Sequence, residues 1–267
     1  MATPVESWYN FDKAEIRDLV IAVIALAFAF GWKFPEPATL GNWAGNFVLV
    51  LILVSVSVLV HEVVHRIVAR KFHARVRSRL FLSSVVAMLI ITIITGGSVI
   101  VAVPWAVTVI PLYFYRPGKS YPQWHLGPRE TALIALAGPL ANFALAVLAK
   151  LLVPSLDLVA KKLIFINASL AVFNLLPFLT LFPIMFSKMS VNRYEQKGMP
   201  HVEGEFVFFG SRALWAFTFA FVLIGSLCLV VLGAFASLII AFIISAVLWV
   251  LWHYFVDFRK LEPPKPI

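Results

Sequence analysis

Charge is scarce in this chain: only 13% of its residues are Asp, Glu, Lys or Arg, against 61% hydrophobic, and the mean hydropathy is +0.94. Soluble domains carry roughly 25% charged residues, so this composition excludes an ordinary soluble protein. Cysteine is nearly absent. Cys228 stands alone in an apolar run, which rules out an internal disulfide and leaves it a packing role. The first residues carry no basic region followed by a small-residue cleavage site; Glu6, Asp12, Lys13 and Glu15 mix both signs ahead of the first apolar run, unlike a secretory signal peptide. No internal repeat is evident, which weighs against a transporter with broken helices, the reading that interruptions at Gly96, Gly97 and Pro177 would otherwise invite.

What the chain has instead is a succession of apolar runs close to the roughly 20 residues that cross a bilayer. They fall at 19–32, 43–68, 131–153, 163–181, 214–232 and 234–255. The expectation is an all-α polytopic membrane protein with about six transmembrane helices, forming a single domain over 1–267 without room for a soluble accessory domain. Residues 80–115 fit this pattern poorly. They are almost uncharged, broken by Gly96, Gly97, Pro104 and Pro111, and the β-branched run 106–110 suits a strand as well as a helix, so a broken or re-entrant segment is expected there.

The formal charge of +9 comes from 22 Lys and Arg against 13 Asp and Glu. These cations gather in short loops between apolar runs, a pattern of membrane orientation and not of nucleic-acid binding. The densest group is Arg66, Arg70, Lys71, His73, Arg75, Arg77 and Arg79. It marks a cytosolic side, so both termini are expected in the cytosol of a multi-pass protein of the cell membrane.

Inside the second apolar run stands His61-Glu62-Val63-Val64-His65. On a helix, residues four apart share a face, so both imidazoles can reach one zinc ion, and Glu62 can accept a proton from a water at that ion. Ionisable groups in mid-membrane cost about 2.5–3.5 kcal/mol each on insertion scales and are usually functional. Arg70 lies about 13 Å further along such a helix, which places the motif nearer the cytosolic face. Two later runs carry Ala137-Gly138-Pro139-Leu140-Ala141-Asn142 and Phe173-Asn174-Leu175-Leu176-Pro177. Gly138 permits close helix approach and Asn142 can hydrogen-bond across an interface. Pro177 kinks the chain and frees a carbonyl beside the polar Asn174, features that suit a substrate-facing edge.

Together and in this order, these three motifs resemble the site-2 protease family of intramembrane zinc metalloproteases, over roughly residues 45–215. The resemblance implies a three-helix core around Zn²⁺, with His61 and His65 as ligands, Glu62 as base, Asn174 and Pro177 at the substrate, and membrane-embedded protein segments as substrates within the lipid bilayer. The family's third ligand is an Asp followed by Gly soon after the Asn-x-x-Pro pattern. Here those positions hold Phe182 and Pro183, which cannot bind zinc. After a polar excursion over 187–200 the chain reads Val202-Glu203-Gly204-Glu205, as if the pair were displaced with Glu in place of Asp. Glu203 is the expected third ligand; His201, Glu205 and Glu195 are its competitors, and Asp157 belongs to the opposite side of the membrane. The missing Asp-Gly also motivates an alternative, an inactive relative that binds membrane helices as a receptor or escort.

Overall fold

The computed structural model describes residues 11–33, 39–111, 126–152, 157–177 and 202–254. Eight helices and two strands follow in order: α1 (Lys13–Gly31), α2 (Leu40–Lys71), β1 (Ala74–Leu80), α3 (Leu82–Ile94), β2 (Trp105–Pro111), α4 (Pro128–Leu152), α5 (Asp157–Asn174), α6 (Glu203–Gly210), α7 (Arg212–Val231) and α8 (Ala234–Trp252). Four of these are long and apolar enough to cross a membrane, namely α2, α4, α7 and α8. The other two expected spans are also helical, but each opens with charges: Lys13, Glu15, Arg17 and Asp18 on α1, Asp157, Lys161 and Lys162 on α5. Polar residues expected ahead of the first span thus lie within its first turns.

Helix α2 is the axis of the molecule. Thr39 caps it by accepting the Asn42 N–H at 3.2 Å, and Arg70 and Lys71 in its last turn complement the helix dipole. It ends where His73 takes a positive φ of 52°, a conformation that side chains other than glycine rarely adopt. At 1.5 Å per residue, its 32 residues extend about 48 Å, well beyond a hydrocarbon core of about 30 Å.

The all-helical expectation is amended by a small sheet. Strands β1 and β2 pair antiparallel from Ala74 opposite Pro111 to Leu80 opposite Trp105. Between them runs α3, whose 13 residues span only about 20 Å and cannot cross a bilayer. The described part of that segment, 80–111, is therefore a helix followed by a strand. The glycine pair that breaks this segment closes α3: Gly96 and Gly97 adopt φ of 59° and 74°, and the Gly97 N–H returns to the Thr92 carbonyl at 2.7 Å.

Buried apolar side chains form two clusters. One, including Leu26, Val54, Val58, Val76 and Met88, joins α1, α2, α3 and the sheet and takes in Ile134 of α4 and Ile166 and Leu170 of α5; the other, including Phe143, Leu175, Val207, Val222 and Leu229, joins α4–α7 and reaches Ala234 of α8. Large apolar residues remain exposed along α2, α7 and α8, among them Leu59, Val230 and Ile243, as expected of helix faces turned to lipid. Helix α5 stops at Asn174, three residues before Pro177, so the proline follows the helix end instead of kinking a continuing span.

Candidate metal centre

His61 and His65 lie one helical turn apart on the side of α2 that packs against α4, and both are fully buried. Helix α4 can pass this close because of one residue. A Cβ placed on Gly138 would run into His65 Nε2 and the His61 ring, so the glycine expected to serve helix packing is what gives the imidazoles their space. Each ring is oriented by its far nitrogen. His65 Nδ1 lies 2.8 Å from the Ile134 carbonyl, and donating there leaves Nε2 with the lone pair a metal takes. His61 Nδ1 lies 3.1 Å from the Asn142 amide. The atom placed there is Asn142 Nδ2; with the amide's oxygen and nitrogen exchanged, the otherwise unpartnered Oδ1 would accept the Nδ1 proton and free Nε2 in the same way.

The third group is Glu203. Its Oε1 lies 2.9 Å from His61 Nε2 and 3.2 Å from His65 Nε2, while the two nitrogens are 3.1 Å apart. Ligands held at about 2.0 Å around a tetrahedral zinc ion stand about 3.3 Å from one another, close to this triangle. The donor set of two imidazoles and one carboxylate suits zinc, and its other carboxylate oxygen, Oε2, is buried without a hydrogen-bond partner among the described residues.

Glu203 reaches the histidines because α6 begins against the end of α5. The space a Cβ would need on Gly204 is filled by the backbone of Leu175 and Leu176, so Glu203-Gly204 sits directly upon the turn after Asn174. The Trp215 indole N–H donates to the Leu175 carbonyl at 2.8 Å and ties α7 to the same turn. Among the competing ligands, Glu205 is buried but outside the metal-binding group and lines a cavity of about 350 Å³ with Pro128, Thr131 and Phe209. Asp157 opens α5, about 25 Å along that helix from Asn174. Glu195 and His201 lie outside the described residues, as do Phe182 and Pro183. Asn174 is buried at the end of α5, and its Nδ2 has no partner among the described residues.

Glu62 is fully buried beside this centre. Its Oε2 accepts from Arg66 Nη1 at 2.7 Å and its Oε1 from the Ser78 hydroxyl at 2.6 Å. Arg66, counted above among the cytosolic basic residues, is therefore an interior residue: it is 3% exposed and also pairs with Glu15 of α1. Glu15, Glu62 and Glu203 bring three buried carboxylates against the one guanidinium of Arg66, and a divalent cation at the His–His–Glu triangle would offset this excess of acid.

Three features were missed at the level of sequence. Arg66 was hidden in a basic run, although its i,i+4 spacing from Glu62 was the available signal. Trp105 at the start of β2 sets its ring edge-on to His61, with centroids 5.8 Å apart. Asn167 is buried between α2 and α5, donating to Ser57 Oγ and to the Leu163 carbonyl, both at 2.9 Å.

Fold and site thus define a helical membrane protein with a buried His–His–Glu centre beside a second, carboxylate-bearing network. The model of peptidase family M50 matches residues 49–158, a stretch holding both histidines, Glu62, Gly138 and Asn142 and ending before Glu203. A protein of Methanocaldococcus jannaschii that carries the name "putative zinc metalloprotease" is 34% identical over 140 residues, which is 52% of this chain. The chain spans 62% of the length of that relative. The resemblance to the site-2 protease family, which is family M50, is borne out by these similarities. No solved structure matches the chain.

Proposed function

We propose that this chain is a zinc-dependent endopeptidase that hydrolyses peptide bonds within or near transmembrane segments of other proteins. The observation that carries the reading is the convergence of His61 Nε2, His65 Nε2 and Glu203 Oε1, with Glu62 adjacent, between helices built to lie in a bilayer. Family M50 and the name of the archaeal relative support a metalloprotease; the membrane setting of the site supports membrane-embedded substrates.

His61, His65 and Glu203 would hold the metal. Zinc, when bound, supplies a Lewis acid that polarises a carbonyl and makes water a nucleophile near neutral pH. Glu62 accepts the proton of the attacking water at a carboxylate oxygen and returns it to the leaving amine. Asn174 donates from its unpartnered Nδ2 to the substrate backbone or to the developing oxyanion. A substrate helix must unwind locally to expose its carbonyl; strand β2 offers extended backbone along which such a chain can lie, and the turn at Pro177 is a second place for it to pair. We read α1 and α5 as crossing the membrane with the other four helices, and the basic residues after α2 as cytosolic, which sets the centre nearer the cytosolic face and both termini in the cytosol.

The alternative of an inactive helix-binding relative was motivated by the missing Asp-Gly. That motive weakens with a carboxylate 2.9 and 3.2 Å from the two imidazoles and Gly204 beside it. The test is cleavage of a transmembrane reporter by the purified full-length protein in proteoliposomes. Wild type is expected to cleave, and Glu62→Gln and His65→Ala to lose cleavage; equal cleavage by Glu62→Gln would overturn the mechanism.

A further inference from the structure

Beyond the metal ligands, the chain carries a buried polar arrangement that the reading above leaves without a purpose. Arg66 bridges two carboxylates, Glu62 on its own helix and Glu15 on α1. Ser78 on β1 bridges the same two: its hydroxyl donates to Glu62 Oε1 at 2.6 Å and its backbone N–H to Glu15 Oε1 at 3.0 Å. The four residues close a ring, Glu62–Arg66–Glu15–Ser78, drawn from three separate elements. Glu15, Glu62 and Arg66 are at most 3% exposed and Ser78 is 1% exposed. Arg66 is fixed further by the Glu62 carbonyl at 3.0 Å and by the Phe11 ring, whose centroid lies 3.7 Å from its guanidinium carbon.

A ring of this kind is a poor device for stability alone. Buried ion pairs seldom outweigh the desolvation of their charges, and a well-packed apolar set of similar volume does as well or better. Its geometric effect is specific, since each oxygen of Glu62 is engaged by a separate donor: Arg66 is held at both ends of its guanidinium, and the backbone of Ser78 is set in a strand ladder opposite Val107. The two donors together favour one orientation of the Glu62 carboxylate.

We propose that Arg66 and Ser78, backed by Glu15, are positioning residues for Glu62, so that α1 and β1 are parts of the reaction centre and not merely its surroundings. This rests on the reading of Glu62 as the base. Orientation of a base counts in turnover because displacement of about 1 Å can cost about 100-fold in rate, whereas metal binding depends on His61, His65 and Glu203, which the ring does not touch directly.

The experiment uses full-length protein in proteoliposomes, with kcat and KM for a transmembrane reporter, zinc per chain, and the infrared carboxylate bands of metal-free protein, Glu62 being isolated by difference from Glu62→Gln. Ser78→Ala removes one donor without unpairing a charge, and Ser78→Thr keeps the hydroxyl. Ser78→Ala is expected to lower kcat by about tenfold or more with KM and zinc content unchanged, to shift the Glu62 carboxylate band, and to be rescued in large part by Ser78→Thr. Arg66→Gln is expected to lower kcat further, and Glu15→Gln combined with Arg66→Gln to add little to that loss, since the pair acts as a unit. Unchanged kcat in Ser78→Ala with an unshifted band would overturn the proposal, as would a loss of activity that only follows loss of zinc. If Glu62→Gln cleaves as well as wild type, the peptidase reading itself fails and the positioning role falls with it; if Glu62→Gln is inactive while Ser78→Ala and Arg66→Gln keep full kcat, only the positioning role fails.

Discussion

At the scale of single residues, a carboxylate one methylene longer than the usual aspartate sets the geometry of the centre. Glu203 closes the triangle with distances of 2.9 and 3.2 Å, so Glu203→Asp is expected to fall short of both imidazoles and lower zinc affinity by about tenfold or more, read by competition with a chromophoric chelator. Asn142 stands at hydrogen-bond distance from His61 Nδ1, across the ring from Glu203. Asn142→Leu is expected to weaken zinc binding by about 10–100-fold while leaving all three ligands in place, the usual cost of losing such a partner. Gly138 has no room for a side chain unless the imidazoles shift. Gly138→Ala sets a methyl against both ligand rings, and the expected outcome is a folded protein without zinc, checked by metal analysis alongside thermal unfolding.

At the scale of elements, the helices were legible and the sheet was only half so. Apolar runs located six of the helices because lipid-facing length and hydropathy are composition properties. Strand β2 was left open between helix and strand, since β-branched residues suit both. Strand β1 was not seen: Arg75, Arg77 and Arg79 alternate with Val76, Ser78 and Leu80, a period of two, but seven basic residues in one stretch read as a solvated cytosolic run. What makes the strand possible is on α1, whose acids accept from its outer edge, Ser78 N–H to Glu15 and Leu80 N–H to Asp18 at 3.4 Å. Such long-range pairing leaves no local trace. For the site, the H-E-x-x-H and Glu203-Gly204 pairs were legible because chemistry fixes residue type, whereas the partner of Arg66 depended on where α1 docks. At this scale the tie between α7 and the turn after Asn174 is testable: Trp215→Phe removes the indole donor to the Leu175 carbonyl and is expected to cost about 1 kcal/mol, read as a lower thermal midpoint with zinc still bound.

At the scale of the whole molecule, the buried histidines lie where α2 packs against α4, while Glu62 turns to Arg66, Glu15 and Ser78 between α2, α1 and β1. Buried carboxylates in excess of their cationic partners are costly in a low-dielectric interior, so a divalent cation should stabilise the entire fold and not only the site. Chelation is accordingly expected to lower the unfolding midpoint of wild type and to leave that of His65→Ala unmoved. The claim beneath all of this is that Glu203 replaces the missing aspartate as the third ligand. It is tested most directly by zinc per chain, measured by elemental mass spectrometry on detergent-purified wild type and Glu203→Ala prepared side by side. The account predicts about one zinc per chain in wild type and essentially none in Glu203→Ala; full occupancy in Glu203→Ala would contradict it.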